Sequence, residues 1–173
     1  VSVVDNQLTI TPDEDYNGDI AVDVSVSDGQ YIDTDSFTLT VNPVNDAPVL
    51  AAIEDQSIDE DTSLVLTLSA DDVDGDPLTY SAVVDGNADI SVVDNELTIT
   101  PYANYNGSIA VDVTVSDGQY IDTDSFVLTV NPVNDAPVLV TIEDQSIDED
   151  TSLVLTLSAD DVDGDTLTYS ASI

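Results

Sequence analysis

Ile109-Ala110-Val111-Asp112-Val113-Thr114-Val115-Ser116, then an Asp117-Gly118 turn, then Tyr120-Ile121-Asp122-Thr123-Asp124-Ser125-Phe126-Val127-Leu128-Thr129-Val130, is the stretch that decides the fold. Val111, Val113 and Val115 alternate with polar residues, as do Phe126, Leu128 and Val130. A period of two places one set of side chains on one face of an extended strand and leaves Asp112, Thr114 and Thr129 on the other. The Asp-Gly between the runs supplies a tight reversal. The same alternation at Leu64, Leu66 and Leu68, and at Leu97 and Ile99, predicts half-buried strands and almost no helix.

The charge count narrows the chemistry. There are 37 acids and no Lys, Arg or His, for a formal net charge of −37. A surface without cations cannot neutralise phosphates, which excludes nucleic-acid binding and electrostatic attachment to anionic membranes. Without His, Cys or Lys there is no Ser-His triad, thiolate or Schiff-base amine, so the chain is expected not to be an enzyme. Zinc sites of Cys or His are excluded, whereas oxygen-only sites for hard cations stay open. A disordered acidic tail would lack a core; here hydrophobic residues are 42% of the chain and correctly phased. No apolar run approaches the ~18 residues of a membrane-spanning helix.

Residues 1–84 match residues 90–173 at 71 of 84 positions, a tandem repeat of 89 residues. That period is too long for a solenoid unit of about 20–50 residues and suits a small domain with its own core. The connector Asn42-Pro43-Val44-Asn45-Asp46-Ala47-Pro48 recurs as Asn131-Pro132-Val133-Asn134-Asp135-Ala136-Pro137. Its two prolines make it stiff and extended. Residues 46–134 are therefore read as one complete repeat. Its seven expected strands are one before Glu60, then Ser63–Ser69, Leu78–Val83, Ile90–Val93, Leu97–Thr100, Ile109–Ser116 and Tyr120–Val130, the pattern of an Ig-like Greek-key sandwich. Tyr105, and Tyr16 one repeat earlier, sit where a tyrosine hydroxyl ties down a sandwich corner. Residues 1–45 are read as the last four strands of a repeat and 135–173 as the first three strands of the next. Neither half can bury its apolar face alone. The tail of one copy is expected to complete the head of the next, within a continuous array or between chains that share a domain.

Of the 37 acids, 31 are Asp, whose short side chain suits chelating loops. The densest cluster, Asp71-Asp72-Val73-Asp74-Gly75-Asp76, recurs at Asp160-Asp161-Val162-Asp163-Gly164-Asp165. Carboxylates within about 4–5 Å repel by roughly 1 kcal/mol per pair in water and more near a protein surface, so a cation relieves such a loop. An EF-hand fails on spacing: from Asp72, the sixth position is Pro77 rather than Gly and the twelfth is Val83 rather than Glu. The remaining ligands must come from other loops. Strand direction puts Asp72, Asp74, Asp76 and Asp117 at the domain end facing Asn45 and Asp46. It puts Glu60, Asp61 and Asn104 at the end facing Asn131, Asn134 and Asp135, beyond which Asp161, Asp163 and Asp165 follow. Strand-face acids such as Asp23 and Asp112 are read as solvated, whereas Asp33, Asp35, Asp122 and Asp124 form either another cation site or a charged guard against edge pairing.

Asn134-Asp135-Ala136-Pro137, the Asp-x-Asp-Gly-Asp loop and the Ser116-Asp117-Gly118 turn resemble the cadherin-like and bacterial Ig-like tandem repeats of large surface adhesins. The resemblance implies an all-β fold of tandem Ig-like, cadherin-like sandwich domains in a linear array. It also implies Ca2+ ligation between domains by Asn134, Asp135, Asp161 and Asp163. The chain departs from the animal pattern in lacking an Asp-Arg-Glu motif, since it has no Arg.

The function expected is the repeat region of a calcium-stiffened extracellular or cell-surface fibre or adhesin stalk, partnered by neighbouring repeats or by copies of itself head to tail. The alternative is a carbohydrate-binding or cell-cell adhesion module with surface glycans as partners. The lack of Trp counts against a sugar platform.

Overall fold

The computed structural model describes all 173 residues, Val1–Ile173, as strands, turns and extended loops. In chain order the strands are β1 (Ser2–Val4), β2 (Gln7–Thr9), β3 (Gly18–Ser27), β4 (Ile32–Val41), β5 (Val49–Leu50), β6 (Gln56–Asp59), β7 (Leu64–Thr67) and β8 (Ala70–Asp71). They continue with β9 (Thr79–Val84), β10 (Ala88–Val93), β11 (Glu96–Pro101), β12 (Gly107–Ser116), β13 (Ile121–Asn131), β14 (Val138–Leu139) and β15 (Ala159–Asp160). The chain forms two compact units, one of Val1–Ala51, Ser69–Tyr80 and Thr114–Thr123, the other of Ala52–Leu68, Ser81–Val113 and Asp124–Ile173.

The second unit holds the main core. One sheet has the order β6-β13-β12-β9 and another the order β10-β11-β7. Leu97 and Ile99 of β11, Ile109, Val111 and Val113 of β12, and Leu128 of β13 are fully buried. Asp112, between two of them, is exposed, as strand alternation requires. β6 runs parallel to β13 from Gln56 opposite Leu128 to Asp59 opposite Asn131. This is an all-β, Ig-like sandwich built from the residues whose alternation predicted it.

Two of the seven expected strands are divided. The strand placed before Glu60 is two pieces, β5 pairing with β8 in the first unit and β6 pairing with β13 in the second. The strand expected over Ser63–Ser69 likewise ends as β7 at Thr67, with β8 resuming at Ala70. The interruption has a chemical cause: three backbone N–H groups here donate to carboxylate side chains, and a fourth donates to a turn carbonyl, instead of to a ladder. In the first unit Leu50 N–H donates to Asp122 Oδ2 (2.8 Å). In the second unit Ile53 N–H donates to Asp124 Oδ2 (2.7 Å), and Val127 N–H to Asp55 Oδ1 (2.8 Å). Also in the second unit, Leu68 N–H donates to the Asn95 carbonyl (2.7 Å) while the Asn95 amide donates back to the Leu68 carbonyl (2.9 Å). Asp122 and Asp124 are thus acceptors that tie down the first strand, a role outside both readings made of them. Asp33 and Asp35 each accept the next N–H of their own strand, from Thr34 and Ser36.

In the first unit β3 and β4 form a ten-residue antiparallel ladder from Gly18 opposite Val41 to Ser27 opposite Ile32. With β1 and β2 they are the four strands expected in residues 1–45. Residues 135–173 differ from expectation: of three strands anticipated, only the short β14–β15 pair forms. Gln145-Ser146-Ile147-Asp148 repeats the sequence of β6 and Leu153-Val154-Leu155-Thr156 that of β7, yet neither is a strand. β6 and β7 gain their ladders from β13 and β11. Residues 145–148 and 153–156 have no such pairing here, and a strand without a partner has no ladder to join.

The predicted corner is present twice. Tyr105 Oη donates to the Ser108 carbonyl (3.0 Å), and Tyr16 Oη to that of Asp19 (3.2 Å). Gly107 beneath Tyr105 has φ +141°, and a Cβ there would lie 2.9 Å from the Tyr105 hydroxyl. Gly107→Ala is expected to cost about 1–3 kcal/mol through this strain, measured by urea unfolding. Asp124→Ala is expected to cost about 1.5–3 kcal/mol by orphaning the part-buried Ile53 N–H. Asp112→Ala, which relieves the same repulsion but breaks no such bond, should leave stability within about 0.5 kcal/mol or raise it.

Candidate metal centre

The second unit contains a junction assembled from three loops and a connector. Glu60, only 4% exposed, follows β6. Its N–H donates to the Asn131 carbonyl (2.9 Å), and its Oε1 accepts Val133 N–H (2.5 Å), fixing the end of β13 and the start of the connector. Asp61 and Asn104 both have positive φ, near +59° and +57°. Asp and Asn tolerate this conformation better than other non-glycine residues. Asp61 Oδ1 accepts Asn104 N–H (3.0 Å), joining the first loop to the fifth. In the connector, the Asn134 amide donates to the Asp135 carbonyl (2.8 Å), and Asp135 N–H donates to Asp163 Oδ2 (2.7 Å). Asp161 organises its own loop by accepting Asp165 N–H at Oδ1 (3.0 Å).

Asp135 is the electrostatic centre of this arrangement. Its Oδ2 is buried and has no hydrogen-bond partner. Its pKa is raised above the ordinary value of 3.8, first by desolvation and then by the negative charges of Asp163, Asp61, Glu60 and Asp161. Four carboxylates from two loops therefore act on a fifth with no cationic side chain to offset them. A hollow beside it is lined by Asn104, Asp135, Asp160 and Asp161.

The first unit contains the matching junction. Asp46 N–H donates to Asp74 Oδ2 (2.8 Å), the counterpart of the Asp135–Asp163 bond. The Asn45 amide donates to Asp117 Oδ2 (2.7 Å) and to the Asp46 carbonyl (2.9 Å). Asp117 Oδ1 accepts the Tyr120 and Gln119 N–H groups, and the Tyr120 bond is the main cause of its lowered pKa. Asp72 Oδ1 accepts the N–H groups of Asp74 (3.0 Å) and Asp76 (3.1 Å), while its Oδ2 is buried and unpartnered. A hollow here is lined by Asp13, Asp15, Asn42, Asp46 and Asp74. Asp13 and Asp15 were not among the expected ligands. The available signal was that Asp13-Glu14-Asp15 becomes Tyr102-Ala103-Asn104 in the next repeat.

The expected residues thus divide by what their side chains do. Glu60, Asp61, Asp135, Asp161 and Asp163 act together in one unit, as do Asn45, Asp46, Asp72, Asp74 and Asp117 in the other. Asp76 and Asp165 join through backbone N–H. Asn104 also joins through its N–H. Asn131 turns its amide toward Ser57 Oγ (3.0 Å) on β6, and the Asn134 amide is engaged within the connector. As the side chains stand, no three carboxylates enclose one point at metal-ligand spacing. The donor set is nonetheless all oxygen, crowded and anionic, and one buried oxygen at each junction lacks a partner. That chemistry fits a hard cation such as calcium.

Fold and junctions together define an all-β repeat module with acidic seams. Residues 44–131, just over half of the chain, match the family model described as a cadherin-like domain, and the chain belongs to that family. Among solved structures, human protocadherin-24 EC1-2 is 17% identical, with 69% of this chain covering 68% of that one at a TM-score of 0.52. Mouse protocadherin-24 EC1-3 is 21% identical, covering 84% of this chain and 56% of that one, with a TM-score of 0.51. These likenesses support the fold. A curated protein, chitinase A of Pseudoalteromonas piscicida, is 30% identical over 156 residues, 87% of this chain; the chain spans 19% of that protein's length.

The raised pKa gives a prediction with a definite sign. A carboxyl whose folded pKa exceeds its unfolded value weakens the fold once ionised, so this contribution falls as pH rises from about 3.8 through the raised value. Asp135→Asn is therefore expected to raise the melting temperature in chelator at pH 7, with the gap closing below about pH 3.8. In millimolar calcium the order should reverse, read by the same thermal scans.

Proposed function

We propose that the chain is a segment of an extracellular fibre or adhesin stalk in which calcium at the junctions stiffens successive cadherin-like repeats. The observation that carries this reading is Asp135: a carboxylate with one buried, unpartnered oxygen, surrounded by four other carboxylates. The domain organisation proposed is a complete repeat over 46–134 flanked by the C-terminal part of one repeat (1–45) and the N-terminal part of another (135–173).

Asp135 and Asp163 would contribute oxygens from the connector and the following loop, and Glu60, Asp61 and Asp161 from either side of them. At the preceding junction Asp46, Asp72 and Asp74 play these parts, with Asn45 and Asp117 holding the connector in place. Bound calcium would supply the positive charge that this chain lacks. Asp135 N–H already holds the Asp163 carboxylate, and Glu60 already holds the connector through Val133 N–H. The backbone therefore presents the carboxylates before any ion arrives. Sites of the extracellular class bind in roughly the 10⁻⁴–10⁻³ M range, which matches calcium outside cells and leaves the sites empty inside them. The partners on this reading are neighbouring repeats, joined head to tail through the connectors.

The likeness to chitinase A favours a second reading, in which such repeats are spacer or glycan-contacting modules within a polysaccharide-acting enzyme. Retention of the chain on chitin would support it.

The test of the main reading is thermal unfolding with and without calcium. Calcium at ten times Kd is expected to stabilise by about 1.4 kcal/mol per site, with small-angle scattering showing a longer, narrower particle. Unchanged melting and scattering after chelation would contradict it.

A further inference from the structure

We propose that Asn17 and Asn106 are self-modifying sites: in the folded chain each cyclises onto the glycine that follows it and reopens as aspartate or isoaspartate. All seven glycines of the chain follow Asp or Asn. In each such pair the glycine has no Cβ to hold its amide nitrogen away from the preceding side-chain carbonyl carbon. What separates the seven pairs is how that preceding side chain is held.

The five aspartates are all engaged. Asp28 Oδ1 accepts Gln30 N–H (2.8 Å) and Tyr31 N–H (2.7 Å), and Asp117 Oδ1 accepts Gln119 and Tyr120 N–H (both 2.6 Å). Asp74 Oδ2 accepts Asp46 N–H, Asp85 Oδ1 accepts Ala110 N–H, and Asp163 Oδ2 accepts Asp135 N–H. Such charge-assisted bonds fix the side chain and favour its ionised form, and an ionised carboxylate resists attack by an amide nitrogen. Asn17 and Asn106 differ on both counts. Their side chains are neutral amides, and both residues are exposed, lie outside the strands and make no side-chain hydrogen bond.

The tyrosine corner keeps these two pairs unguarded. A bulkier residue after Asn would shield it, but Gly107 and Gly18 have φ +141° and +126°, which side-chain-bearing residues rarely adopt. In the reaction the Gly107 nitrogen attacks Asn106 Cγ, forming an N–Cγ bond as the Cγ–Nδ2 bond breaks. The nitrogen's proton departs with the amide as ammonia. Water then adds to one of the two imide carbonyls, giving aspartate by opening at Cγ or isoaspartate by opening at the main-chain carbon. No reactant besides water is consumed. Each conversion adds one negative charge, and each isoaspartate lengthens the main chain by one carbon at the entrance to β12 or β3, beside the corner hydrogen bonds of Tyr105 and Tyr16. Asn17 lines the hollow that also holds Asp46 and Asp74, so its conversion adds a carboxylate there.

The experiment keeps the 173-residue chain folded, checked by circular dichroism, in warm and mildly alkaline buffer with EDTA, and samples it over weeks. The chain has no Lys or Arg for trypsin, so chymotrypsin, cutting after Tyr16 and Tyr105, releases the peptides for mass spectrometry. The expected result is loss of the amide form at Asn17 and Asn106 ahead of every other asparagine, each mass rising by the difference between NH2 and OH. Electron-transfer fragmentation should show isoaspartate at those two positions and none at the five Asp-Gly pairs. Asn106→Gln, which forms the larger ring less readily, should end conversion at 106 and leave that at Asn17 unchanged. Both asparagines intact while Asn87, Asn95 or Asn104 converts, conversion only in urea-unfolded chain, or isoaspartate arising equally at the Asp-Gly pairs would overturn the proposal. Calcium is absent throughout, so failure here leaves the calcium reading standing.

Discussion

A chain with 37 carboxylates and no cationic side chain has few ways to satisfy its charge, and the structure is organised around the one it holds in abundance, the backbone N–H. Asp117 binds two amides of its own turn, Asp122 and Asp124 hold the first strand, Asp72 and Asp161 shape their loops, and Asp74 and Asp163 grip the connectors. Charge-assisted bonds of this kind are stronger than neutral ones, and together they substitute for the ion pairs of an ordinary surface. The supply of amides fails at Asp72 Oδ2 and Asp135 Oδ2, which are buried without partners. At those two oxygens the backbone supplies no partner.

That shortage explains why the connectors carry the chemistry. A connector such as Val133-Asn134-Asp135 has no ladder of its own, so its amides are free to hold carboxylates on either side: Val133 N–H on Glu60, Asp135 N–H on Asp163. Prolines at either end keep it extended. Loops that would otherwise repel are brought together by the backbone, and the repulsion is concentrated on one side chain. The cadherin-like family match, residues 44–131, includes Asn45 and Asp46 of the first connector and ends before Val133 of the second.

Much of this could be read from the residues. Alternation alone located the core strands, because a period of two is a direct consequence of extended geometry, and Leu97, Ile99, Val111, Val113 and Leu128 are buried accordingly. Strand direction brought Asn45 to Asp117 and Asp46 to Asp74, since antiparallel order decides which loops share an end. The divided first strand was not legible: Asp122 and Asp124 replace a ladder through side chains far away in sequence, which leaves no periodic mark. The tail shows a second limit. Gln56–Asp59 and Gln145–Asp148 have the same sequence, but only the former is a strand, because pairing across the sheet decides strand formation more than local preference does. Asp13 and Asp15, which line a hollow with Asp46 and Asp74, escaped notice because they mark a difference between repeats and form no motif.

The most direct test of the central claim is a crystal structure of this chain grown in calcium, with anomalous differences collected. The account predicts a peak within about 2.3–2.6 Å of Asp135 Oδ2, with oxygens of Asp163, Asp161 or Glu60 in the same shell. Density with water or nothing at Asp135 Oδ2 and Asp72 Oδ2 in saturating calcium would contradict it.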